Sequence, residues 1–365
     1  LPGLAAGTEV PCFALTGPEA GSDAGGIPDT GVVCKGEFEG KEVLGIRLNW
    51  DKRYITLAPV ATVLGLAFKL SDPDKLMGDK EELGITCALI PTSHPGVQIG
   101  DRHFPMNMAF MNGTTYGEDV FIPLDWIIGG PSFAGRGWRM LVECLSAGRG
   151  ISLPALGTAT GHLATRMTGA YAYVRQQFGM SIGKFEGVQE SLGRIGGLTY
   201  SLEAMRVMTA GAIDLKLSPS VVTAIAKYHM TEMSRTLLND SFDIHAGRAI
   251  QCGPKNYLAH GYMGVPISIT VEGANILTRN LMIFGQGATR CHPYVLKELE
   301  AAANPDADAG LKQFDDLLLK HVGFALGNTF GALFQGLTLG AFNGSPVAGE
   351  TAKYYKQLSR MSKAL

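Results

Sequence analysis

The chain has 365 residues, of which 46% are hydrophobic and 18% charged, and its formal net charge is −2. This composition is typical of a globular enzyme with a sizeable core and excludes a largely disordered chain. Because the charge shows no basic excess, and no Lys/Arg cluster alternates with aromatic residues, a nucleic-acid partner is not expected. The six cysteines form no C-x-x-C pair, which predicts neither a metal site nor a disulfide framework and favours a reducing, cytoplasmic compartment.

The first third of the chain has the pattern of a β domain. Short apolar or alternating runs, such as Ile85–Ile90, occur between residues 11 and about 123 and are separated by Gly, Pro and Asp turn clusters. From about Gly137 the pattern changes to helical periodicity over residues 138–146, 155–178, 188–215, 219–242 and 274–284. Ser218 and Pro219 supply a helix start, as a cap and a first-turn proline. The predicted fold class is α+β, with an antiparallel β domain followed by an α-helical bundle.

The last part of the chain is predicted to be a helical extension. It begins with the polar stretch Ala301–Gly310, so the expected domains are residues 1–130, 131–300 and 301–365. Residues 322–349 carry no formal charge and contain glycines at 323, 327 and 331, a spacing that lets membrane helices approach closely. The polar residues and the proline of this run favour a soluble helix, and association with a membrane stays the alternative.

The common nucleotide-binding motifs are absent. There is no G-x-G-x-x-G and no strand–helix alternation, which argues against a Rossmann-type domain. Residues 179–185 resemble a phosphate-binding loop, but the segment is one residue short and ends in Phe185, where a magnesium-binding Ser or Thr is required. Any nucleotide cofactor must therefore be bound in another way.

Residues 15–23 carry the first resemblance to a known family. Their sequence, Leu-Thr-Gly-Pro-Glu-Ala-Gly-Ser-Asp, resembles the T-E-P-G-A-G-S-D signature of acyl-CoA dehydrogenases, with Gly and Glu exchanged around the proline. Small residues permit close backbone approach, and free N–H and hydroxyl groups suit a flavin, although an ordinary surface turn has the same composition. The tripeptide at 54–56 resembles the family's W-I-T strand. The alternative interpretation of this tripeptide is an ordinary β-strand, which prefers the same residue types. The resemblance implies flavin contacts at Leu15, Thr16, Gly21, Ser22, Tyr54, Ile55 and Thr56, with Ser22 also near the substrate.

A longer motif begins at Arg175. Residues 175–189 are similar to the family's R-x-x-F-G-x-P-I-x-x-F-Q-x-V-Q, with Glu186 in place of the usual Gln. In the family this arginine binds the pyrophosphate of a flavin held by the neighbouring subunit, a role that suits the fixed fork of a guanidinium. The resemblance therefore implies FAD contacts at Arg175, Gln177 and Phe178, and at least a homodimer.

Residues 243–247, Asp-Ile-His-Ala-Gly, are similar to the family's Q-I-x-G-G, which passes close to the adenosine half of FAD. The resemblance implies a cofactor contact at Gly247. His245 is a candidate general base, but a lone histidine near a helix end is more often structural.

Glu272 is the candidate catalytic base. Residues 272–279 resemble the family's E-G-T-N-x-x-x-R, in which the glutamate removes the α-proton of an acyl thioester. That proton is weakly acidic, so the chemistry requires a carboxylate whose proton affinity is raised in a dry pocket. The resemblance implies a substrate contact at Gly273 and cofactor contacts at Ala274 and Asn275. The alternative is a carboxylate that stabilises a helix start.

The resemblance covers about residues 1–300 and is greatest to the large bacterial fatty-acid dehydrogenases of the FadE type. It implies FAD-dependent oxidation of medium- or long-chain fatty acyl-CoA to trans-2-enoyl-CoA, with an electron-transfer flavoprotein or another electron acceptor as partner. Arg149 lies near the family's arginine that contacts CoA. The family places a helical domain before Leu1, so a fragment is expected. Two alternatives stay open: an acyl-CoA oxidase that uses O2, and a non-catalytic flavin-fold protein used in assembly.

Overall fold

The computed structural model describes residues 2–217 and 219–364, which form two compact units divided between Met282 and Ile283. The first unit contains a sheet and a helical bundle, and the second is helical. The order of elements confirms the predicted α+β fold, because the strands of the large sheet lie between Pro11 and Pro123 and the first long helix begins at Gly137.

A seven-stranded sheet forms the β domain. Its strands are β1 (Pro11–Ala14), β2 (Thr30–Phe38), β3 (Lys41–Thr56), β4 (Val63–Ser71), β5 (Glu82–Pro91), β6 (Gln98–His103) and β7 (Asn112–Pro123). The strand order is β1-β4-β2-β3-β7-β6, and β5 pairs with β4. Most pairs are antiparallel, as predicted, but β4 runs parallel to both β1 and β2. Alternating side chains such as Ile46, Leu48 and Trp50 of β3 point into one core that the strands share.

The bundle is built from three long helices. The helices of the chain are α1 (Pro2–Ala6), α2 (Gly137–Leu163), α3 (Gly169–Val174), α4 (Glu186–Asp214), α5 (Ser220–His245), α6 (Gly247–Ile250), α7 (Ala259–Thr270), α8 (Asn275–Leu277), α9 (Ala288–Cys291), α10 (Val295–Ala302), α11 (Ala307–Leu337) and α12 (Ala352–Ala364), with π-helical segments at Ala164–Thr168 and Thr278–Gly287. Short 3-10 turns lie at Ala24–Gly26, Ala58–Val60, Pro105–Asn107, Leu124–Trp126, Pro131–Phe133 and Ile182–Lys184. Apolar residues of α4 and α5, with Leu202 and Met230 among them, form the bundle core together with Ala164 and Ala172.

The predicted interruption between residues 146 and 155 is wrong, because α2 is continuous there. Two of its glycines lie against α5: a Cβ on Gly150 would meet the Thr223 side chain at 2.6 Å, and one on Gly157 would meet the Met230 carbonyl oxygen at 3.1 Å. Close packing of the two helices thus outweighs the low helix propensity of Gly and of Pro154. The helix predicted to start at Ser218 and Pro219 begins at Ser220, directly after Pro219, whereas Ser218 lies outside the described residues.

The second unit contains α9 to α12. Gly310 of α11 packs closely against the end of α10, and the His321 side chain bonds Glu298 with 2.8 Å between Nδ1 and Oε1. By length and composition, α11 is the one helix in the described part of the chain that is apolar enough to cross a membrane, with a mean hydropathy of 1.3. Only residues 322–337 of the uncharged run lie in this helix.

Candidate active site

Glu272 lies in the turn between α7 and α8, where the backbone adopts a left-handed conformation. Its φ is +56°, and Gly273 follows with a φ of +90°. A residue with a Cβ rarely adopts such a φ, and the conformation persists only where the surroundings hold it. The position is thus not that of an ordinary helix-start carboxylate, since α8 begins three residues later at Asn275.

Three side chains hold this turn. The Arg149 guanidinium, 8% exposed on α2, donates a hydrogen bond from Nε to the Glu272 carbonyl oxygen at 2.9 Å. Lys227 of α5 is fully buried, and its Nζ donates to the carbonyl oxygens of Ile269 and Gly273 at 2.9 and 2.8 Å. The Thr278 hydroxyl donates to the same Gly273 oxygen at 3.1 Å. Charged donors therefore fix the backbone on both sides of the candidate base.

The Glu272 carboxyl group lies beside Gly148 of α2, where a Cβ would come within 3.4 Å of Oε1. Its Oε2 is buried, and among the described residues no hydrogen-bond partner contacts that atom. Burial raises the pKa of Glu272, and the positive charges of Arg149 and Lys227 partly oppose the rise. A carboxylate with raised proton affinity and an unpaired oxygen is suited to accept a proton from a bound molecule.

The side chain of Asn275 is directed into the protein. Its Oδ1 accepts the third hydrogen bond of Lys227 at 2.7 Å, while its Nδ2 donates to Thr231 and Glu232 at 3.0 and 2.8 Å. Only the backbone of Asn275 is therefore free to make the predicted flavin contact. The flavin contact expected of its neighbour Ala274 also stays a prediction. Arg149 is likewise used internally, so its CoA contact also stays a prediction.

The loop predicted to bind flavin is tied to the end of β3. Lys52 donates to the Leu15 carbonyl oxygen at 2.8 Å and forms a buried ion pair with Asp29. The Arg53 backbone N–H donates to the Thr16 carbonyl oxygen, and its guanidinium donates to the Pro18 carbonyl oxygen, both at 3.0 Å. These bonds bring together two motifs that are separated by about thirty residues in the sequence.

The exposed face of this region is made of side chains that both motifs provide. Tyr54 is 57% exposed and has a φ of +62°, Thr56 is also exposed, and Ile55 between them is buried in the sheet core. In the loop, Gly21 and Ser22 are exposed. The side chains of Tyr54, Thr56 and Ser22 are thus accessible to a ligand, whereas the Ile55 side chain is buried and only its backbone could contact one.

A pocket of about 940 Å³ lies at the C-terminal end of α5. Its lining includes residues of two predicted cofactor motifs: Arg175, Gln177 and Phe178 from one, and Asp243 to Gly247 from the other. Phe178 and Gly179 have φ values of +52° and +77° and form the turn of a small hairpin, which places the Phe178 ring 94% in solvent. This hairpin turn also excludes the phosphate-loop interpretation of residues 179–185.

His245 is structural, as its position predicted. Its ring is 2% exposed, stacks on Tyr171 with 4.2 Å between ring centroids, and has Nδ1 2.7 Å from the Ser241 carbonyl oxygen. Burial lowers its pKa, so the ring is neutral, with Nδ1–H as donor and Nε2 accepting from the Tyr257 hydroxyl.

The predicted cofactor residues fit a flavin nucleotide by the chemistry of their groups. The loop at 15–23 offers backbone and hydroxyl groups, and the pocket offers the Arg175 guanidinium and a large exposed aromatic ring. Four of the twelve non-glycine residues with positive φ in the described part of the chain lie in predicted cofactor or catalytic motifs, namely Tyr54, Phe178, Ala246 and Glu272. Backbone strain of this kind is concentrated at functional sites. Among the described residues no cluster of His, Cys, Asp or Glu suits a metal.

Comparison with known proteins identifies the family. Three models of one family match consecutive parts of the chain: acyl-CoA dehydrogenase, middle domain, at residues 12–120; acyl-CoA dehydrogenase, C-terminal domain, at 135–284; and acyl-CoA dehydrogenase, C-terminal, bacterial type, at 289–365. The chain belongs to the acyl-CoA dehydrogenase family, whose members are FAD-binding oxidoreductases. The resemblance inferred from the motifs is confirmed.

Individual relatives extend this result. The chain is 30% identical to the probable acyl-CoA dehydrogenase YngJ of Bacillus subtilis over 248 residues, which cover 67% of this chain and 60% of YngJ. It is 64% identical to the protein HemX of Proteus mirabilis over 104 residues, 28% of this chain and 61% of HemX. The fold is similar to that of the acyl-CoA dehydrogenase from Geobacillus kaustophilus, with a TM-score of 0.68, 20% identity and coverage of 78% of this chain and 70% of that one. The chain spans about 60% of the length of these two curated relatives.

Proposed function

We propose that this protein oxidises fatty acyl-CoA to trans-2-enoyl-CoA with FAD as its cofactor and Glu272 as the base. The proposal is supported mainly by the environment of the Glu272 carboxyl group. Its buried Oε2 has no hydrogen-bond partner among the described residues, its pKa is raised by burial, and its backbone is held in a left-handed turn by Arg149 and Lys227. A carboxylate oxygen that is free of hydrogen-bond partners is the proton acceptor that α-proton abstraction requires.

The residues of the chain divide the work of this reaction. The Glu272 carboxylate accepts the α-proton, so the C–H electron pair stays with the substrate and forms the new double bond. The Glu272 backbone N–H is proposed to donate to the thioester carbonyl oxygen and so to stabilise the negative charge that develops there. Tyr54, Thr56 and Ser22 would hold the cofactor, and Arg175 would contact the cofactor held by the neighbouring subunit. FAD, when bound, supplies the acceptor for the hydride that leaves the β-carbon.

The proposed substrates are medium- or long-chain acyl-CoA thioesters, because the sequence resembles the large bacterial fatty-acid dehydrogenases of the FadE type. An electron-transfer flavoprotein is the proposed electron acceptor, and a homodimer the proposed minimal assembly. An acyl-CoA oxidase would share the first half-reaction but would pass the electrons to O2. Rapid O2 consumption after acyl-CoA addition would favour the oxidase, whereas a reduced flavin that persists in air until the acceptor flavoprotein is added would favour the dehydrogenase.

The proposed location of the protein is the cytoplasm, where α11 would contact the inner membrane. Exposed apolar side chains such as Leu319, Phe330 and Leu337 occur along this helix, and the most apolar part of the helix is not buried. Sedimentation with anionic phospholipid vesicles tests this contact. A protein that stays in the supernatant at low salt would exclude it.

The central experiment is an anaerobic titration of the flavin-loaded full chain with palmitoyl-CoA and shorter thioesters. The parent protein is expected to lose its oxidised flavin absorbance. Glu272→Gln is expected to retain flavin but to react about 10²- to 10⁴-fold more slowly, the range for loss of a general base. Glu190→Gln, a change at an exposed position of α4, is the matched control and is expected to react like the parent. Bound flavin that no acyl-CoA reduces would instead favour the non-catalytic assembly protein.

A further inference from the structure

Lys227 is a charged side chain inside the helical bundle for which the sequence motifs assign no role. None of its surface is exposed to solvent. Its three N–H donors contact three acceptors: the Ile269 and Gly273 carbonyl oxygens and Asn275 Oδ1, at 2.9, 2.8 and 2.7 Å. An ammonium group has three donors and no acceptor, so its hydrogen-bonding capacity is fully used. A buried charge requires such complete pairing.

The three acceptors lie on both sides of Glu272. Ile269 is in the last turn of α7, Gly273 directly follows the glutamate, and Asn275 begins α8. One ammonium group therefore joins the end of one helix, the turn and the start of the next helix. Because the Glu272 backbone is left-handed, the turn needs such external bonds to keep its conformation.

A second layer of contacts fixes the Lys227 partners themselves. Asn275 Nδ2 donates to the Thr231 hydroxyl and to Glu232 Oε1, at 3.0 and 2.8 Å, and both of these residues are on α5, one turn beyond Lys227. The lysine and the two residues that orient its amide partner thus belong to one helix. The rigid helix can then fix the turn at two points.

The charge of Lys227 also acts on the carboxyl group of Glu272. The charged groups that act on this lysine are Arg149 of α2, Glu232 of α5 and Glu272 of the turn. Burial and, to a smaller extent, the charge of Arg149 lower the pKa of Lys227 to about 8, against the opposing effect of the two glutamates. In return, the positive charges of Lys227 and Arg149 counteract the rise that burial causes in the pKa of Glu272.

We propose that Lys227 is a positioning residue for the base: its ammonium group fixes the turn at 269–275 and places a positive charge near the Glu272 carboxyl group. This inference rests on the proposed function, in which Glu272 accepts the α-proton. Lys227 itself touches neither the substrate nor the reacting atoms.

The test compares Lys227→Met with the parent in the flavin-loaded full chain. Methionine keeps the length and most of the volume but removes the charge and all three donors. The rate of flavin reduction by palmitoyl-CoA is expected to fall at least about tenfold at pH 7, the result of losing charged hydrogen bonds. The pH midpoint of that rate is expected to rise, because Glu272 without its cationic neighbour keeps its proton to higher pH. The controls are Ser234→Ala, a buried change on the same helix whose hydroxyl bonds only Met230 within the described residues, and Lys227→Arg, which keeps the charge.

Two further measurements separate the possible results. If Lys227→Met does not fold, Asn275→Ala removes one acceptor and is expected to lower the rate with a smaller midpoint shift. Carbon-13 NMR of labelled glutamate follows the Glu272 pKa without any turnover, and a rise of that pKa in the variant supports the inference even if no thioester reduces the parent. A lower rate or lower stability with an unchanged Glu272 pKa and an unchanged pH midpoint would show a merely structural lysine and would overturn it.

Discussion

The Nε atom of Arg149 lies 2.9 Å from the carbonyl oxygen of Glu272, although the two residues are 123 positions apart in the chain. The bond joins the middle of α2 to the turn that holds the candidate base. Burial lowers the pKa of the Arg149 guanidinium, while the nearby Glu272 carboxylate opposes this change. The guanidinium is thus both a backbone donor and a charge partner of the base.

Replacing Arg149 by Met should impair the base in two ways. The turn loses a charged hydrogen bond and the carboxylate loses a cationic neighbour, so the rate of flavin reduction is expected to fall about 10- to 100-fold, with its acid limb at higher pH. Stopped-flow reduction by palmitoyl-CoA from pH 6 to 9 measures both effects. Arg139→Met, on the exposed side of the same helix beside Glu143, is the control. A parent-like pH profile in Arg149→Met would contradict the assignment.

Glu272→Gln should stabilise the protein at neutral pH. Burial raises the pKa of this carboxyl in the folded state, so the folded state binds its proton more tightly than the unfolded chain does. Its contribution to stability is therefore present below the unfolded-state pKa and lost as the pH rises through the folded-state pKa. The variant removes this loss, and its Tm is expected to exceed that of the parent at pH 8 by more than at pH 4. Equal Tm differences at both pH values would contradict the raised pKa.

The Lys52–Asp29 pair should be essential to flavin retention. Lys52→Met leaves the Asp29 carboxylate buried without its partner and frees the Leu15 carbonyl oxygen, so unfolding free energy is expected to drop by about 3–5 kcal/mol. The ratio of flavin absorbance to protein should drop with it. The exposed pair of Lys35 and Glu42 is the control, where Lys35→Met should cost less than about 1 kcal/mol in urea unfolding. Asp29→Asn combined with Lys52→Met should recover part of the loss.

Gly273→Ala should strain the same turn sterically. At a φ of +90° an added Cβ would lie 3.3 Å from Thr278 Oγ1 and 3.7 Å from Arg149 Nη2. The variant is expected to lose about 1 kcal/mol or more of unfolding free energy and to reduce flavin more slowly. Gly197→Ala, on an exposed part of α4 where nothing lies within 4 Å of an added Cβ, should instead gain about 0.5–1 kcal/mol. Denaturant titration of both variants measures the difference.

The division of the chain into a β domain and a helical bundle was predictable because both depend on local periodicity. The continuity of α2 through Gly150 and Pro154 was not, since it depends on packing against α5. The parallel pairing of β4 with β1 and β2 was missed for the same reason: strand direction is a property of partners and not of one segment.

Glu272 was found because its motif is local, whereas Lys227 was missed because its partners lie 42 to 48 residues further along the chain. A signal was nevertheless present. Lys227 lies four residues after Thr223 and seven before Ser234, in the stripe of α5 that is otherwise small or apolar and buried. A lone lysine in such a stripe requires a buried acceptor, and that requirement indicates a site.

A single helix, α5, contacts both the turn of the candidate base and the pocket that contains Arg175. Lys227 lies near one end of α5 and His245 is its last residue, so 18 residues separate them, or about 27 Å along the axis. One end fixes the turn of the candidate base, and the other forms a wall of the 940 Å³ pocket. A substitution that shifts α5 along its axis must therefore displace both, and selection cannot adjust the proton acceptor and the distant pocket independently.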